Sequence, residues 1–384
     1  MGRPRLLHLA TTDLSLVLLL GRQLKAFEAA GYEVITASAP GDQVPVLEAK
    51  GLPHESVVGL TRRASLRSDL AAIRDMYRLF RRLRPDVVHT HSPKAGVYGR
   101  LAARAARVPT VVNTVHGLYA QRTDSWKRRI AVYSAERLAS ACSDVELVQN
   151  EEDVATLRRL GVPARKIRLL GNGIDLEEFD PDRHADERAV VRAEFGFGPR
   201  DIVCGVVGRL VREKGLREVF AAADRLRPTL PEVKWLVVGP PDPVKSDAIT
   251  DQEIEWALAH PGMHALGMRT DMPRLYAAMD LLVLASHREG FPRAGMEAAA
   301  MGLPIVASDI RGCRQVVDHG RNGFLVPKGD VDAIASAVSR LAHDPDLRCR
   351  MRAEACEKTR AEFDEARVVA ITLDAYASVG APVP

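Results

Sequence analysis

The sequence predicts an α/β protein built from two doubly wound domains, each with a parallel sheet. Three observations predict this class: a length of 384 residues, an alternation of short apolar runs with helical stretches, and a polar interval near the middle. A single core stops growing at about 250 to 300 residues, so a chain of this length is expected to divide. Apolar runs that alternate with helices are typical of βαβ units around parallel sheets.

The first predicted domain covers residues 1–178. Its apolar runs have the length of buried strands and are rich in β-branched residues. The strand candidates are Arg5–Ala10, Glu33–Ser38, Asp86–Thr90, Thr110–Val115, Asp144–Gln149 and Lys166–Leu170. Helical periodicity is clearest at Leu66–Leu83, Lys94–Ala106 and Ser125–Ala141.

The second predicted domain covers residues 201–360. Its strand candidates are Ile202–Val207, Lys234–Val238, Leu281–Ala285, Pro304–Ala307 and Gly323–Val326, and a helix is expected at Asp330–Ala342. The charges, prolines and glycines of residues 179–200 predict a linker with a short helix. Ligands of doubly wound sheets bind at the carboxyl ends of strands, so two such domains face to face would form a cleft.

Composition excludes several classes of protein. The longest apolar candidate, Leu14–Leu20, has seven residues, whereas a membrane span needs roughly 20. The five cysteines lack the paired spacing of a zinc site or a disulfide framework, and the reducing cytoplasm is the expected location.

The net charge of +4 is unevenly distributed, because residues 61–129 carry 16 Lys plus Arg against four acids. The segments Arg62–Arg84 and Trp126–Arg129 are typical of a surface for anionic lipids, with a plain solvated face as the alternative. In the helix one face is expected to be strongly basic and another apolar, the apolar residues being Leu66, Leu70, Ile73, Tyr77, Phe80 and Leu83. No nucleic acid partner is expected, since few aromatic residues interleave with the cations and no DNA- or RNA-binding signature appears.

A loop with two cations follows the strand in VVGRLVREKG, which holds Gly208, Arg209, Lys214 and Gly215. Arginine and lysine at the carboxyl end of a strand suit a diphosphate. An ordinary solvated loop is the alternative. The spacing of a Walker loop is absent.

Two carboxylates, Glu289 and Glu297, flank the glycine turn in SHREGFPRAGMEAAA. A strand, a tight turn and a helix start provide exposed backbone N–H groups for phosphate or hydroxyl oxygens. The pair suits acid/base chemistry of the glycosidase type, and Glu297 alone suits ribose hydroxyls. Stabilisation of the helix dipole is the structural alternative.

Histidines end two of the predicted strands. His116, before Gly117, can hydrogen-bond a ligand or transfer a proton, or it can serve a structural hydrogen bond. His89 and His91 are similar, and no metal is expected because no third ligand stands at usable spacing. The turn GNGID, Gly171–Asp175, is expected at the crossover between the domains.

Four motifs in one order, HGLY, GNGID, GRLVREKG and EGFPRAGME, resemble the retaining glycosyltransferases of family 4, whose motif is Glu, seven residues, Glu. The likeness covers nearly the whole chain. VVHTHSPKAGVYGRLAARAARVP and DIRGCRQVV are similar to segments of bacterial enzymes of exopolysaccharide, capsule or lipid-linked glycan assembly. The resemblance implies the GT-B architecture, in which two Rossmann-like domains face each other across a cleft and a last helix, about residues 361–384, packs back on the first.

The resemblance also implies the reaction. It implies metal-independent transfer of a sugar, with retention, from a nucleotide-diphosphate donor, expected to be a UDP-sugar, onto a hydroxyl of a glycan, a lipid-linked saccharide or a small molecule. The donor is a substrate and no cofactor is implied. The expected location is the cytoplasm, with docking on the inner face of the plasma membrane. A nucleotide-sugar 2-epimerase, a phosphorolytic enzyme and a non-catalytic sugar-binding subunit are the alternatives.

Catalytic positions carry over by motif. Arg209 and Lys214 would bind the donor diphosphate, Glu289 would contact the transferred sugar, and His116 would touch that sugar from the first domain.

Donor-binding positions carry over in the same way. Glu297 would hold the ribose, and Gly267 and Met268 would lie near the base. Gly290 and Phe291 would contact the transferred sugar together with Glu289, and Gly208 would complete the donor site.

One position departs from the family pattern. Many members carry a double glycine after the first strand, where this chain reads ATTDLSLVLLLG. Side chains of Thr11, Thr12 and Asp13 are the candidates to replace that contact, and whether they do is open.

Overall fold

The computed structural model describes residues 2–61, 66–91, 93–120, 124–242 and 247–384. The chain divides into two compact units. Unit 1 comprises Met1–Gly171 and Ala366–Pro384, and unit 2 comprises Asn172–Glu365.

Unit 1 contains a parallel sheet of seven strands. The strands are β1 Arg5–Thr12, β2 Glu33–Ala39, β3 His54–Ser56, β4 Val87–His91, β5 Thr110–Val115, β6 Val145–Val148 and β7 Ile167–Leu169. Their order is β3-β2-β1-β4-β5-β6-β7, and neighbouring strands are parallel. The order reverses between β1 and β4, so ligands are expected at the carboxyl ends of these two strands.

Unit 2 contains a second parallel sheet, of six strands. The strands are β8 Ile202–Val207, β9 Val233–Val238, β10 Met263–Ala265, β11 Leu281–Leu284, β12 Ile305–Ser308 and β13 Gly323–Val326, in the order β10-β9-β8-β11-β12-β13. Its order reverses between β8 and β11. The predicted class of two doubly wound α/β domains is confirmed.

Helices cover both faces of each sheet, which explains why most strands read as continuous apolar runs. The α-helices of the described ranges are α1 Asp13–Ser15, α2 Gly21–Ala29, α3 Val44–Ala49, α4 Leu66–Leu83, α5 Pro93–Ala105, α6 Trp126–Ser140, α7 Glu151–Arg159, α8 Glu187–Glu194, α9 Leu216–Leu226, α10 Asp251–Ala259, α11 Met272–Ala278, α12 Arg293–Ala300, α13 Cys313–Val316, α14 Val331–His343, α15 Pro345–Glu362 and α16 Glu365–Ser378. A π-helical turn, Leu16–Leu20, joins α1 to α2, and 3₁₀ turns form at Ala164–Lys166 and Arg212–Lys214. Across these ranges, none of the helices has both the length and the hydropathy of a membrane-crossing segment.

The segment predicted as a linker, residues 179–200, belongs to unit 2. Its helix α8 packs against α11 because Val191 and Phe197 are buried in the core of that unit. Arg188 and Arg192 both pair with Asp280, at 2.5 and 3.2 Å. The predicted short helix is therefore present, and it is an amphipathic helix that packs within unit 2.

Two three-residue strands, β3 and β10, were absent from the strand candidates. Both are outermost strands, and β3 reads His-Glu-Ser, which has no apolar residue for a pattern to detect. The last helix, α16, returns to unit 1, where Val368 and Tyr376 share a core with Phe27.

Helix α4 buries only part of the predicted apolar stripe. Phe80 is buried beside Ala72 and Met76, and Ile73 and Leu83 pack against the same core, whereas Leu70 is 68% exposed and Tyr77 is exposed as well. Periodicity gives the stripe, but packing decides how much of it is covered. Arg62 and Arg63 of the predicted basic surface lie outside the described residues.

A buried ionic network lies between α5, α6 and the sheet of unit 1. The Arg100 guanidinium donates to Glu146 at 2.6 Å, to Glu136 at 2.8 Å and, through Nε, to the Gly96 carbonyl at 2.8 Å. Asn113 donates to the second Glu146 oxygen at 2.7 Å. Arg100 and Glu146 are almost fully buried, so each charge depends on its partners.

Candidate active site

The loop between β8 and α9 places Arg209 and Lys214 at the carboxyl edge of the second sheet. After a 3₁₀ turn at Arg212–Lys214, the chain enters α9 through Gly215 in a left-handed conformation, with φ of 70°. A Cβ added to Gly208 would lie 3.6 Å from Cδ of Lys214, so the lysine stem runs back across this glycine. Gly208 and Gly215 of the motif thus allow the loop to fold closely around Lys214.

Substitution of Gly215 by alanine is expected to destabilise unit 2 by about 2 kcal/mol or more. A Cβ there would lie 2.0 Å from the Ala285 carbonyl oxygen, where the loop after β11 passes. Gly267→Ala is the matched control, because Gly267 also has positive φ, 64°, but has nothing within 4 Å of an added Cβ. Its expected cost is about 1 kcal/mol. Urea unfolding, followed by circular dichroism, measures the free energy of unfolding of both variants. An equal decrease in the two variants would contradict the close approach of Gly215 to the Ala285 carbonyl.

Lys214 and Glu289, which are 75 residues apart, form an ion pair of 2.6 Å between Nζ and Oε1. Ser286 donates to the same carboxylate oxygen at 2.8 Å. The two loops are also joined through their backbones, since the His287 N–H donates to the Glu213 carbonyl at 2.8 Å. The structure therefore brings together two of the residues that the motifs predicted.

Arg209 is also paired with a carboxylate. Its Nη1 lies 2.5 Å from Oδ2 of Asp242, in the loop after β9. Both predicted phosphate-binding cations thus begin from ion pairs with acids at the same sheet edge. Each cation is therefore paired with an acid of its own unit.

Glu297 lies inside α12 and is 8% exposed. Its two oxygens accept from Arg293 Nε at 2.7 Å and from the Tyr276 hydroxyl at 3.0 Å. Burial raises the pKa of Glu297, and the hydrogen bonds from Arg293 and Tyr276 oppose that rise. Sequence reasoning missed both partners, although the spacing of four residues from Arg293 to Glu297 was a detectable signal.

The turn before α12 offers backbone donors. The N–H groups of Gly290 and Phe291 have no hydrogen-bond partner within the described part of the chain. The Phe291 ring packs edge-on against Phe363 at 5.6 Å, so its side chain serves the core of unit 2. Phe291 therefore offers its backbone N–H to a ligand.

Gly312, in the segment DIRGCRQVV, lies directly against Glu289. A Cβ added to Gly312 would lie 2.6 Å from Cβ of Glu289 and 2.7 Å from its carbonyl oxygen. The loop after β12 therefore fixes the position of the Glu289 backbone, a role that sequence reasoning did not assign. A glycine in a motif-like segment was the available signal.

Gly267 and Met268 follow β10 at the same edge. The Gly267 carbonyl accepts from the Gly239 N–H at 2.8 Å, and the Met268 side chain is exposed. The exposed apolar side chain of Met268 therefore lies beside a turn that is held by a backbone hydrogen bond.

His116 lies in unit 1, just beyond β5, and is partly exposed. Its Nε2 lies 3.1 Å from Nδ1 of His91, and burial lowers the pKa of His116 to about 4. The imidazole is therefore neutral near pH 7.

A third histidine joins the pair that the sequence identified. His8, on β1, lies opposite His89 on β4, and nitrogens of His8, His89 and His91 all lie within 4.8 Å of one another. The expectation that no third ligand approaches His89 and His91 is wrong, because strand pairing brings His8 across 81 residues. Both His89 nitrogens are already hydrogen-bonded, to Tyr376 at 2.6 Å and Thr114 at 2.7 Å, and the cluster is built as a hydrogen-bonded group.

The side chains after β1 are engaged within unit 1. Asp13 accepts from the backbone N–H groups of Leu14 at 2.8 Å and Gln43 at 2.7 Å, and it is buried. Thr12 is 2.9 Å from Ser15, and Thr11 accepts from the Ala95 N–H at 3.4 Å. The segment thus holds neighbouring backbone with the same side chains that were candidates for a phosphate contact.

Both units of the chain contain segments that match known protein families. Residues 19–173 match the family model for a glycosyl transferase 4-like domain, and residues 201–344 match that for glycosyl transferases group 1. The chain is 32% identical over 294 residues to the UDP-Gal:alpha-D-GlcNAc-diphosphoundecaprenol alpha-1,3-galactosyltransferase of Escherichia coli. The aligned region covers 75% of this chain and 74% of that enzyme.

Two further proteins illustrate the range of the likeness. The capsular polysaccharide biosynthesis glycosyltransferase CapM of Staphylococcus aureus is 28% identical, over 91% of this chain and 90% of CapM. The crystal structure of Anabaena HepE in complex with UDP has a TM-score of 0.80 at 22% identity, over 97% of this chain and all of HepE, which shows a shared fold. With both halves matched by family models and a relative at 32% identity, the chain belongs to the glycosyl transferases of group 1.

Proposed function

We propose that this glycosyltransferase moves a sugar, with retention, from a UDP-sugar onto a hydroxyl of a lipid-linked or polysaccharide acceptor. The observation that carries the proposal lies at the carboxyl edge of the second sheet, where Lys214 pairs with Glu289 and Arg209 with Asp242. The N–H groups of Gly290 and Phe291, which follow Glu289, have no partner among the described residues. The names of the relatives support the donor and the acceptor, since the Escherichia coli enzyme uses UDP-Gal and a diphosphoundecaprenol saccharide and HepE binds UDP.

The chemistry follows from an exchange of partners. Lys214 leaves Glu289 and Arg209 leaves Asp242 as each binds a phosphate oxygen, arginine in bidentate fashion. The two cations then stabilise the charge that develops on the leaving diphosphate. Glu289, released from Lys214 but still held by Ser286, accepts hydrogen bonds from hydroxyls of the transferred sugar.

The remaining positions complete donor recognition. Glu297, already fixed by Arg293 and Tyr276, accepts from the ribose hydroxyls, and Gly267 and Met268 lie beside the base. The proposal contains no metal ion, because the two cations supply the positive charge that the leaving group needs. Transfer is accordingly expected to persist in the presence of EDTA.

A panel of nucleotide sugars tests the donor assignment. UDP-linked sugars are expected to raise the melting temperature more than GDP- or ADP-linked ones, since a ligand at 100 times its Kd adds about 2.7 kcal/mol. The anomeric proton coupling of the product reports retention. Conversion of a free UDP-sugar without acceptor would indicate an epimerase, and binding without turnover on any lipid-linked acceptor would indicate a sugar-binding subunit.

We further propose that unit 1 docks on an anionic membrane through α4 and α6, where a lipid-linked acceptor would be met. On α4, Leu70, Arg74, Tyr77 and Arg81 are exposed at helical spacing. Helix α6 borders a groove of about 700 Å³. The groove is lined by Trp126, Arg129, Ile130, Tyr133, Ser134, Arg137, Leu138, Ala141 and Leu160.

Sedimentation with liposomes tests the docking surface. Binding to vesicles with anionic lipid is expected at low salt and is expected to fall at high salt, because each Lys or Arg near such a surface contributes about 1 kcal/mol through screened attraction. Trp126→Ser should weaken binding, since Trp126 is 66% exposed. Leu258→Ser, at a comparably exposed site on α10 of unit 2, is the matched control. Equal binding to neutral and anionic vesicles would reject the proposal.

A further inference from the structure

Three imidazoles form a hydrogen-bonded row in unit 1. His8 Nδ1 lies 2.9 Å from His91 Nε2, and His91 Nδ1 lies 3.1 Å from His116 Nε2. The row begins in the core, where His8 stacks on Phe27 with ring centroids 5.3 Å apart, and it ends at the partly exposed His116. The strands supply this order, because β1, β4 and β5 are neighbours in the sheet.

A row of neutral imidazoles has only two consistent proton arrangements. Each ring carries one N–H, so a ring that accepts through one nitrogen must donate through the other. In the first arrangement His8 donates to His91, His91 donates to His116, and the His116 proton is on Nδ1. In the second arrangement every bond is reversed, and the His116 proton is on Nε2.

The inner end of the row decides between the two arrangements. His8 Nε2 is buried and has no hydrogen-bond partner among the described residues. The reversed arrangement would place an N–H at this nitrogen, and buried N–H groups without an acceptor are rare. The first arrangement leaves only a lone pair there. A charged His91 that donates both ways is disfavoured, because burial lowers the pKa of His91 well below its usual value.

We infer that His8 and His91 hold His116 in the tautomer with its proton on Nδ1, so that His116 presents a hydrogen-bond donor. His8 and His91 are thus positioning residues for His116. With Nε2 accepting from His91 and Nδ1 carrying a proton, His116 has no free basic nitrogen. It can donate to an oxygen of a substrate but cannot remove a proton from an acceptor; that role rests on the proposed function.

Nitrogen-15 NMR of histidine-labelled protein reads the tautomer directly, without substrate. Long-range proton–nitrogen correlations are expected to show a protonated Nδ1 and a bare Nε2 for His116, whose signals are identified by their loss in His116→Gln. A proton on Nε2 of His116 would overturn the inference. Absence of sugar transfer in a protein with the expected tautomer would instead count against the proposed function alone.

Substitution of His8 by phenylalanine tests the inner end of the row. The new ring can keep the stack on Phe27 but cannot donate to His91, so His116 is expected to show both tautomers and kcat/KM for the donor is expected to fall about fivefold. His89→Phe is the matched control, because His89 is equally buried but bonds to Tyr376 and Thr114 instead of the row.

The control separates positioning from stability. His89→Phe is expected to lower the melting temperature while the His116 tautomer stays single. If His8→Phe also leaves one tautomer on His116, His8 does not set the proton position and the inference fails.

Discussion

Substitution of Lys214 by alanine is expected to lower kcat for sugar transfer by about 100- to 1,000-fold, the usual effect of removing one preorganised group that stabilises transition-state charge. The ammonium group lies 2.6 Å from Glu289 and is partly exposed, so its loss leaves no fully buried charge unpaired. Ser286 continues to hold the carboxylate. Unchanged circular dichroism and steady-state transfer kinetics distinguish this loss of chemistry from a loss of fold.

Arg212→Ala is the matched control for Lys214→Ala. Arg212 is a cation of the same 3₁₀ turn, but its Nη2 lies 4.0 Å from Glu253, on the side of α10. The Arg212→Ala variant should transfer sugar at a rate within a fewfold of that of the unmodified chain. Full activity in Lys214→Ala, or equal losses in the two variants, would contradict the diphosphate assignment.

Substitution of Arg100 by alanine is expected to destabilise unit 1 by about 3 to 5 kcal/mol, because it leaves Glu146 and Glu136 buried without their cation. Hydrogen exchange of peptides that contain β5 and β6 measures the loss locally, which avoids the assumption that both units unfold together. Arg104→Ala, one turn further along α5, removes a partly exposed pair with Asp144 and is expected to cost about 0 to 1 kcal/mol.

The loss in Arg100→Ala should depend on pH. Burial raises the pKa of Glu136 even in the intact network, and Arg100 opposes the rise. Without Arg100 the pKa of Glu136 in the folded state rises further above its value in the unfolded state. The free energy of unfolding therefore falls at each pH at which the glutamate of the unfolded chain is ionised. The destabilisation is therefore expected to be largest near pH 7 and to shrink as the pH approaches about 4.3. A loss that is constant from pH 7 to that value would contradict the burial of an unpaired carboxylate.

Local patterns predicted much of this structure. The strand β8 and the first cation of its loop stand in one continuous motif, and the same holds for β11, Glu289 and the start of α12. Such features depend on hydrophobic runs and turn residues that are contiguous in the chain. These runs predicted both sheets. They also predicted that Arg209, Lys214 and Glu289 lie at the carboxyl edge of the second sheet.

Contacts between distant segments were beyond that reasoning. Tyr276 reaches Glu297 from another helix, Gly312 supports Glu289 from another loop, and His8 joins His91 only through strand pairing. The exposure of Leu70 and Tyr77 on α4 also differs from the prediction, because periodicity gives a stripe but not how much of it the neighbouring elements cover. Each of these depends on tertiary packing, which a single sequence does not encode locally.

The ion pairs at Lys214 and Arg209 bear on how the site distinguishes among anions in a cell. Each cation is already neutralised by a carboxylate of its own chain, at 2.6 and 2.5 Å. Chloride or acetate brings no more charge than the acid it must displace, whereas a diphosphate brings several charged oxygens to both cations at once. If the proposed donor site is right, competition from abundant small anions would be weakened, and a ligand that reaches both cations of the loop between β8 and α9 would be favoured.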